Sequence, residues 1–377
     1  MPFDRRAFLR TTCAAAAAGA LATTARSAAQ PEPPVITQRR FRRIATEEAF
    51  AIPEQMEGMR KLAASGGDDP DLDFWRGLTG DNTFAKTVGG RLLDLDAERL
   101  RIMDASDVAV HLLLMTSCGV QMFDADTGSA IAARSNDRLA EAIGRHPGRL
   151  AGLATIAPQD PGRAVKEIER AMTTLKLNGI VINSHTNGEY LDEPKFWPIL
   201  EAAAALRAPI YIHPRAPSPG MAAPYRKYRL EGAIWGYQAE TGLHGLRLIA
   251  SGVFDRYPDL RIVLGHMGEG LPYWLYRVDF MHANSATDQR PKLKRRPSDY
   301  FKDNFMITTS GVNWHPALQF CLGVLGADNI MWAIDYPYQD TMEAVRFMDS
   351  APIPDADKEK IYHGNAERVF RITASRS

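Results

Sequence analysis

Glu47, His213 and Asp335 are residue types that hold a divalent metal ion, and each stands at or near the end of a short apolar run. Glu47 lies in Thr46-Glu47-Glu48-Ala49-Phe50, His213 in Tyr211-Ile212-His213-Pro214, and Asp335 in Ala333-Ile334-Asp335-Tyr336-Pro337. Two carboxylates and one imidazole form an oxygen-rich set that favours Mn²⁺, with Zn²⁺ or Fe²⁺ as alternatives. Three protein ligands leave positions open for water or a chelating substrate. His266 and Glu269, in Gly265-His266-Met267-Gly268-Glu269, can share a proton beside such a metal. His185, Phe50 and Tyr336 are expected to contact substrate, and Arg277 to grip a carboxylate. Each residue alone has an ordinary alternative, such as a hydrogen-bonded core histidine, a turn-forming Asp, a helix-capping Glu269 or a solvated Arg277. Chemistry requires a scaffold that brings them to one place.

The runs that carry these residues supply one. Arg43 to Phe50, Val108 to Met115, Leu150 to Ile156, Gly179 to Ser184, Pro209 to Pro214, Arg261 to His266, Met306 to Gly311 and Ile330 to Asp335 are short, rich in Val, Ile and Leu, and bounded by turn residues. Strands buried on both faces have this composition. Helical patterns separate the later runs, at Val165 to Leu177, Pro194 to Leu206, Thr241 to Phe254, His315 to Leu325 and Met342 to Asp349. Alternation repeated eight times predicts a single (β/α)8 barrel, whose active site lies where the strands end. An open doubly wound sheet would call for a Gly-rich phosphate loop after the first strand, and the sequence has none. Side chains alternate along a strand, so Glu47 and Ala49 share one face and Glu48 takes the other.

The chain of 377 residues balances 45 basic against 45 acidic side chains, which argues against a nucleic-acid or membrane-surface partner. Residues 1–29 read as a twin-arginine export signal, with Arg5-Arg6 ahead of an Ala-rich stretch too short to span a bilayer. Residues 30–40 read as a proline-containing linker, and residues 41–374 as the barrel domain. A periplasmic address is the expectation. Cys118 and Cys321, far apart in a domain with a proper core, imply no disulfide framework. The segment Gly66 to Gly90 has no clear period and is expected to be an irregular lid or substrate loop.

The sequence resembles the amidohydrolase-related decarboxylases, and within them the 5-carboxyvanillate decarboxylases. The matching stretches are Arg-Ile-Ala-Thr-Glu-Glu-Ala-Phe from Arg43, Ile-Asn-Ser-His-Thr from Ile182, Tyr-Ile-His-Pro from Tyr211, Gly-His-Met-Gly-Glu from Gly265, Leu-Pro-Tyr-Trp-Leu-Tyr-Arg from Leu271, Asp-Tyr-Pro-Tyr-Gln from Asp335 and Asn-Ala-Glu from Asn365. They occur in barrel order along almost the whole mature chain. The resemblance implies a Mn²⁺-dependent, non-oxidative carboxy-lyase that releases CO₂ from an ortho-hydroxylated aromatic acid. By motif position, Glu47, His213 and Asp335 match metal ligands, His266 with Glu269 a catalytic pair, and Arg277 a substrate-side arginine given across a homodimer interface. Relatives often have His where this chain has Ala49, so the metal here is expected to have one protein ligand fewer. Arg76 and Lys86 are the nearest candidates for the basic contact that the family draws from the loop after the first strand. No organic cofactor is expected, because the aromatic ring itself holds the electrons. Two other readings use the same residues or part of them: a metal-dependent hydrolase of a lactone, amide or ester, and a periplasmic protein that binds aromatic acids without turnover.

Overall fold

All eight apolar runs form strands in the computed structural model, which describes residues 41–373. The expected signal, residues 1–29, and linker, residues 30–40, lie outside the described residues. The strands are β1 Ile44–Phe50, β2 Val110–Met115, β3 Leu150–Thr155, β4 Gly179–Asn183, β5 Ile210–His213, β6 Ile262–Leu264, β7 Phe305–Thr308 and β8 Ile330–Met331. They form one sheet in the order β1 to β8, with consecutive strands parallel. Thr46 N–H donates to Trp332 O at 3.2 Å and Ala49 N–H to Tyr336 O at 2.7 Å, so the end of the sheet returns to its start. The result is the (β/α)8 barrel that the alternation predicts.

Every strand gives at least one side chain to an inner cluster that includes Ile44, Leu112, Val181, Tyr211, Val263 and Met331. The opposite faces pack on the helices through residues such as Leu113, Ile182, Ile212, Leu264 and Ile307. Burial on both faces is why these strands read as continuous apolar runs. β1 departs from simple alternation. Ala45 pairs with His111 and Glu48 with Leu113, so β1 advances three residues while β2 advances two. This bulge turns Glu47 inward below Ala49 and sends Glu48 to the outer face.

The helices follow their apolar spacing. In Pro161–Thr173, Ala164, Ile168 and Ala171 are buried, Pro161 opens the first turn, and Asp160 caps it by accepting the Arg163 N–H at 3.0 Å. The stretch expected as one helix from Thr241 to Phe254 is two, Gly236–Ala250 and Val253–Arg256, separated at Gly252 with φ +77°. The segment Gly66 to Gly90 is not an irregular loop. It holds the helix Asp71–Leu78 and a helical turn at Ala85–Gly89. Leu72, Trp75 and Leu78 are buried at a spacing of three, too short a pattern to stand out among the surrounding Asp and Gly residues. Among the described residues, no helix is long and apolar enough to cross a membrane.

Candidate metal centre

The site is built from Glu47 outward. This carboxylate is buried inside the barrel, where Oε2 accepts the Tyr211 hydroxyl and the Thr308 hydroxyl, the latter at 2.9 Å. Its other oxygen, Oε1, is buried with no hydrogen-bond partner. A half-satisfied carboxylate in an apolar barrel is costly without a cation. Facing Oε1 are His213 Nε2 at 3.6 Å and His266 Nδ1 at 3.9 Å. The backbone leaves room for this packing: a Cβ on Gly265 would lie 2.7 Å from Glu47 Oε2.

His213 ends β5, and its Nδ1 lies 3.0 Å from both Asn183 Oδ1 and Pro214 O. Both are acceptors, so Nδ1 carries the proton and the Nε2 lone pair points into the site. Burial lowers the pKa of His213 to about 4, against the pull of Glu47, so the ring is neutral as a metal ligand must be.

His266 follows β6 in a tight turn, with φ +46° at His266, +57° at Met267 and +54° at Glu269. Non-glycine residues in this region cost of order 1–3 kcal/mol each, and they persist where the surroundings enforce them. Here the turn brings His266 Nδ1 to 2.8 Å from Glu269 Oε1 and leaves Nε2 3.9 Å from Asp335 Oδ2. Burial alone would lower the His266 pKa, but Glu269, Glu47 and Asp335 outweigh it and hold the imidazole well above its ordinary value. Asp335 lies beyond β8 at φ +75°. Burial raises its pKa to about 6, with His266 opposing. Gly311 completes the wall: a Cβ there would lie 3.0 Å from His266 Cδ2 and 3.6 Å from Asp335 Oδ2.

Among the described residues, Glu47, His266 and Asp335 offer ligand atoms that all lie within 4.8 Å of one another. His266, expected as a proton carrier, thus stands inside the metal-sized cluster, with His213 against the same Glu47 oxygen. The donor chemistry separates the two histidines. His213 commits Nδ1 to Asn183 and Pro214 and turns Nε2 to Glu47 Oε1, whereas His266 holds Nδ1 against Glu269 and leaves Nε2 toward Asp335. Three carboxylates around one imidazole, together with the orphaned Glu47 Oε1, fit a divalent cation.

Several expected substrate contacts are placed elsewhere. His185 is wholly buried; Nε2 donates to Ala216 O at 3.1 Å and Nδ1 accepts the Gly188 N–H at 3.1 Å. Both ring nitrogens are therefore spent on backbone, and His185 ties the turns after β4 and β5 together. Phe50 is wholly buried in the core between barrel and helices. Tyr336 is buried beneath the Arg99 guanidinium, 4.7 Å from its ring. Arg277 is exposed on the helix Leu271–Asn284 and lines a groove of about 730 Å³ with Trp235, Trp274 and Met281; Glu269 also lines it, whereas Glu47, His213, His266 and Asp335 do not. Arg76 bonds Ala63 O and Asp73, and Lys86 pairs with Asp81; both are on the surface.

The structure adds residues that the motifs did not single out. Tyr338 hydrogen-bonds Thr116 through its hydroxyl and donates its N–H to Asp335 O at 2.8 Å. Its ring lies 6.1 Å from Phe74, which comes from the helix Asp71–Leu78. That helix is anchored by fully buried Arg215, which reaches Asp71 and Asp69 at 2.8 Å each. The Asp-rich composition of the segment was the available signal. Its partner lies 144 residues away.

Barrel and cluster together define a metal-dependent enzyme that works at the C-terminal ends of its strands. A family model described as amidohydrolase matches residues 83–372. The chain belongs to the amidohydrolase family. The 5-carboxyvanillate decarboxylase of Sphingomonas paucimobilis is 49% identical, with a TM-score of 0.86 over 88% of this chain and 100% of that one. The 5-carboxyvanillate decarboxylase of Novosphingobium aromaticivorans, solved with manganese and 4-hydroxy-3-methoxy-5-nitrobenzoic acid, is 43% identical, with a TM-score of 0.85 over 88% and 96%. A gamma-resorcylate decarboxylase from Polaromonas is 36% identical over 338 residues, 88% of this chain and 98% of that protein.

Proposed function

We propose that this protein is a Mn²⁺-dependent, non-oxidative decarboxylase of an ortho-hydroxylated aromatic acid, with a 5-carboxyvanillate-like substrate. The carrying observation is the buried, unpartnered Glu47 Oε1 facing the neutral His213 Nε2 at 3.6 Å, with Asp335 in the same cluster. Glu47, His213 and Asp335 are the residues to hold the metal. When bound, Mn²⁺ supplies a Lewis acid that chelates neighbouring carboxylate and hydroxyl oxygens and lowers the phenol pKa.

Asp335 is the proton donor. Its carboxylate lies 3.9 Å from His266 Nε2, from which it takes a proton and delivers it to the ring carbon bearing the substrate carboxylate. The bond from ring to carboxylate then breaks, its electron pair stays with the ring, aromaticity returns and CO₂ leaves. His266, fixed by Glu269, is placed to return a proton to Asp335.

The active unit is a homodimer in which Arg277 serves the partner's site. Tyr273, Trp274 and Tyr276 on the same helix are 68%, 55% and 81% exposed, a large aromatic surface that contact with a second copy would cover. Arg5-Arg6 supports export through the twin-arginine route to the periplasm.

The direct test is anaerobic incubation of the Mn²⁺-loaded protein with ortho-hydroxy aromatic acids, including 5-carboxyvanillate and 2,6-dihydroxybenzoate. Chelator-sensitive CO₂ is expected. Intact metal with no CO₂ from any acid, and hydrolysis in a lactone and ester screen, would replace the decarboxylase with a hydrolase. Sedimentation and fractionation of cells test the dimer and the address.

A further inference from the structure

The two adjacent glutamates of β1 face opposite ways, and the second has its own connection to the site. Glu48 is wholly buried on the outer face. Its Oε1 accepts the Ile334 N–H at 3.0 Å and its Oε2 accepts the Tyr336 N–H at 3.0 Å. These residues flank Asp335. β8 ends at Met331, so neither N–H is held within a strand ladder. Between them Asp335 sits at φ +75°, an uncommon conformation for a residue other than glycine. One carboxylate thus grips the backbone on both sides of a strained residue. Arg99, also wholly buried, is the cation that acts on Glu48. Arg99 is itself held by the carbonyls of Ala49 at 2.8 Å and Asp94 at 2.9 Å, and covers the Tyr336 ring.

We infer that Glu48 is a positioning residue: it holds the turn after β8 so that the Asp335 carboxylate stays within metal-sharing distance of Glu47. The inference rests on the metal-ligand role proposed for Asp335. It makes the Glu47-Glu48 pair a two-sided device, with the first carboxylate facing the metal and the second fixing the backbone of another ligand across the β1–β8 seam.

Glu48→Gln tests it with little change of volume. An amide has one acceptor oxygen, so its NH₂ must face either the Ile334 or the Tyr336 N–H. Mn²⁺ affinity, read from the EPR signal of free Mn²⁺, needs no turnover. It is expected to fall on the order of 10-fold, and kcat on the order of 10- to 100-fold, with KM changed far less. Glu48→Asp keeps the carboxyl group but shortens its reach, and is expected to weaken Mn²⁺ similarly; it serves should Glu48→Gln not fold. Asn304→Ala is the stability control. Asn304 donates to Pro258 O and Leu260 O before β7, far along the barrel from the site, so its loss destabilises without touching Asp335. A folded Glu48 variant with wild-type Mn²⁺ affinity overturns the inference, as does an equal loss of Mn²⁺ affinity in Asn304→Ala. Wild-type protein that binds Mn²⁺ but releases no CO₂ counts against the proposed reaction, and the Mn²⁺ comparison still decides Glu48.

Discussion

Glu47 Oε1 and His213 Nε2 lie 3.6 Å apart inside the barrel with no proton to share. The separation exceeds a hydrogen bond, and the His213 proton is committed to Nδ1 by Asn183 and Pro214. Metal–ligand bonds of about 2.0–2.2 Å set two ligand atoms on one ion roughly 3 to 3.6 Å apart. The spacing suits two ligands of one ion.

Removing the metal should therefore cost stability as well as activity. A chelator is expected to abolish turnover, and Mn²⁺ at 100 times its Kd to add about 2.7 kcal/mol to folding. Thermal melts of apo and Mn²⁺-loaded protein check this; identical midpoints would exclude specific binding to the native state.

Mn²⁺ affinity should rise with pH. The folded Asp335 pKa, raised to about 6 from an ordinary carboxylate value of 3.8, means the apo site binds its proton more tightly than the unfolded chain does. Asp335 thus contributes stability to the apoprotein below about pH 4 that is lost as pH rises through about 6. Metal binding must displace that proton, so affinity is expected to increase from pH 5 to 7 with proton release. Calorimetry in buffers of different ionisation enthalpy measures both quantities.

Asp335→Asn should lower kcat by roughly 10²- to 10⁴-fold, the scale of a lost general acid, while a substrate analogue still binds. Single-turnover kinetics beside analogue titration separate the two effects. Near-normal kcat would remove Asp335 from the proton-donor role.

Asn183→Ala should act through His213. Losing the Oδ1 acceptor at 3.0 Å loosens the ring and its tautomer, and is expected to cost about 10-fold in Mn²⁺ affinity. Unchanged affinity by metal titration would show that Pro214 O alone suffices.

Arg215→Ala should unfold the protein at distinctly lower urea concentration. It leaves Asp71, 1% exposed, as a buried charge without its cation, a loss of about 3–5 kcal/mol. Equilibrium unfolding measures the difference, and a loss below 1 kcal/mol would contradict burial of this pair.

The sequence by itself determined what depends on neighbours along the chain. Eight apolar runs had to be strands because both faces of each are buried, and Glu47, His213 and Asp335 were visible because polar residues are conspicuous at the ends of such runs. Tertiary structure decided what depends on residues far apart in the chain. Strand periodicity does not reveal the bulge between Ala45 and Glu48, which a partner strand defines, yet the bulge turns Glu47 inward. His185 read as a substrate contact, but the carbonyl of Ala216 takes its Nε2, and Phe50 and Tyr336 are packed into the core. Glu48 carried no signal in the sequence because its partners are 286 and 288 residues away. A side chain's type states which bonds it can make. Only the folded chain, by choosing between water, backbone and metal as its partner, decides which bonds it makes.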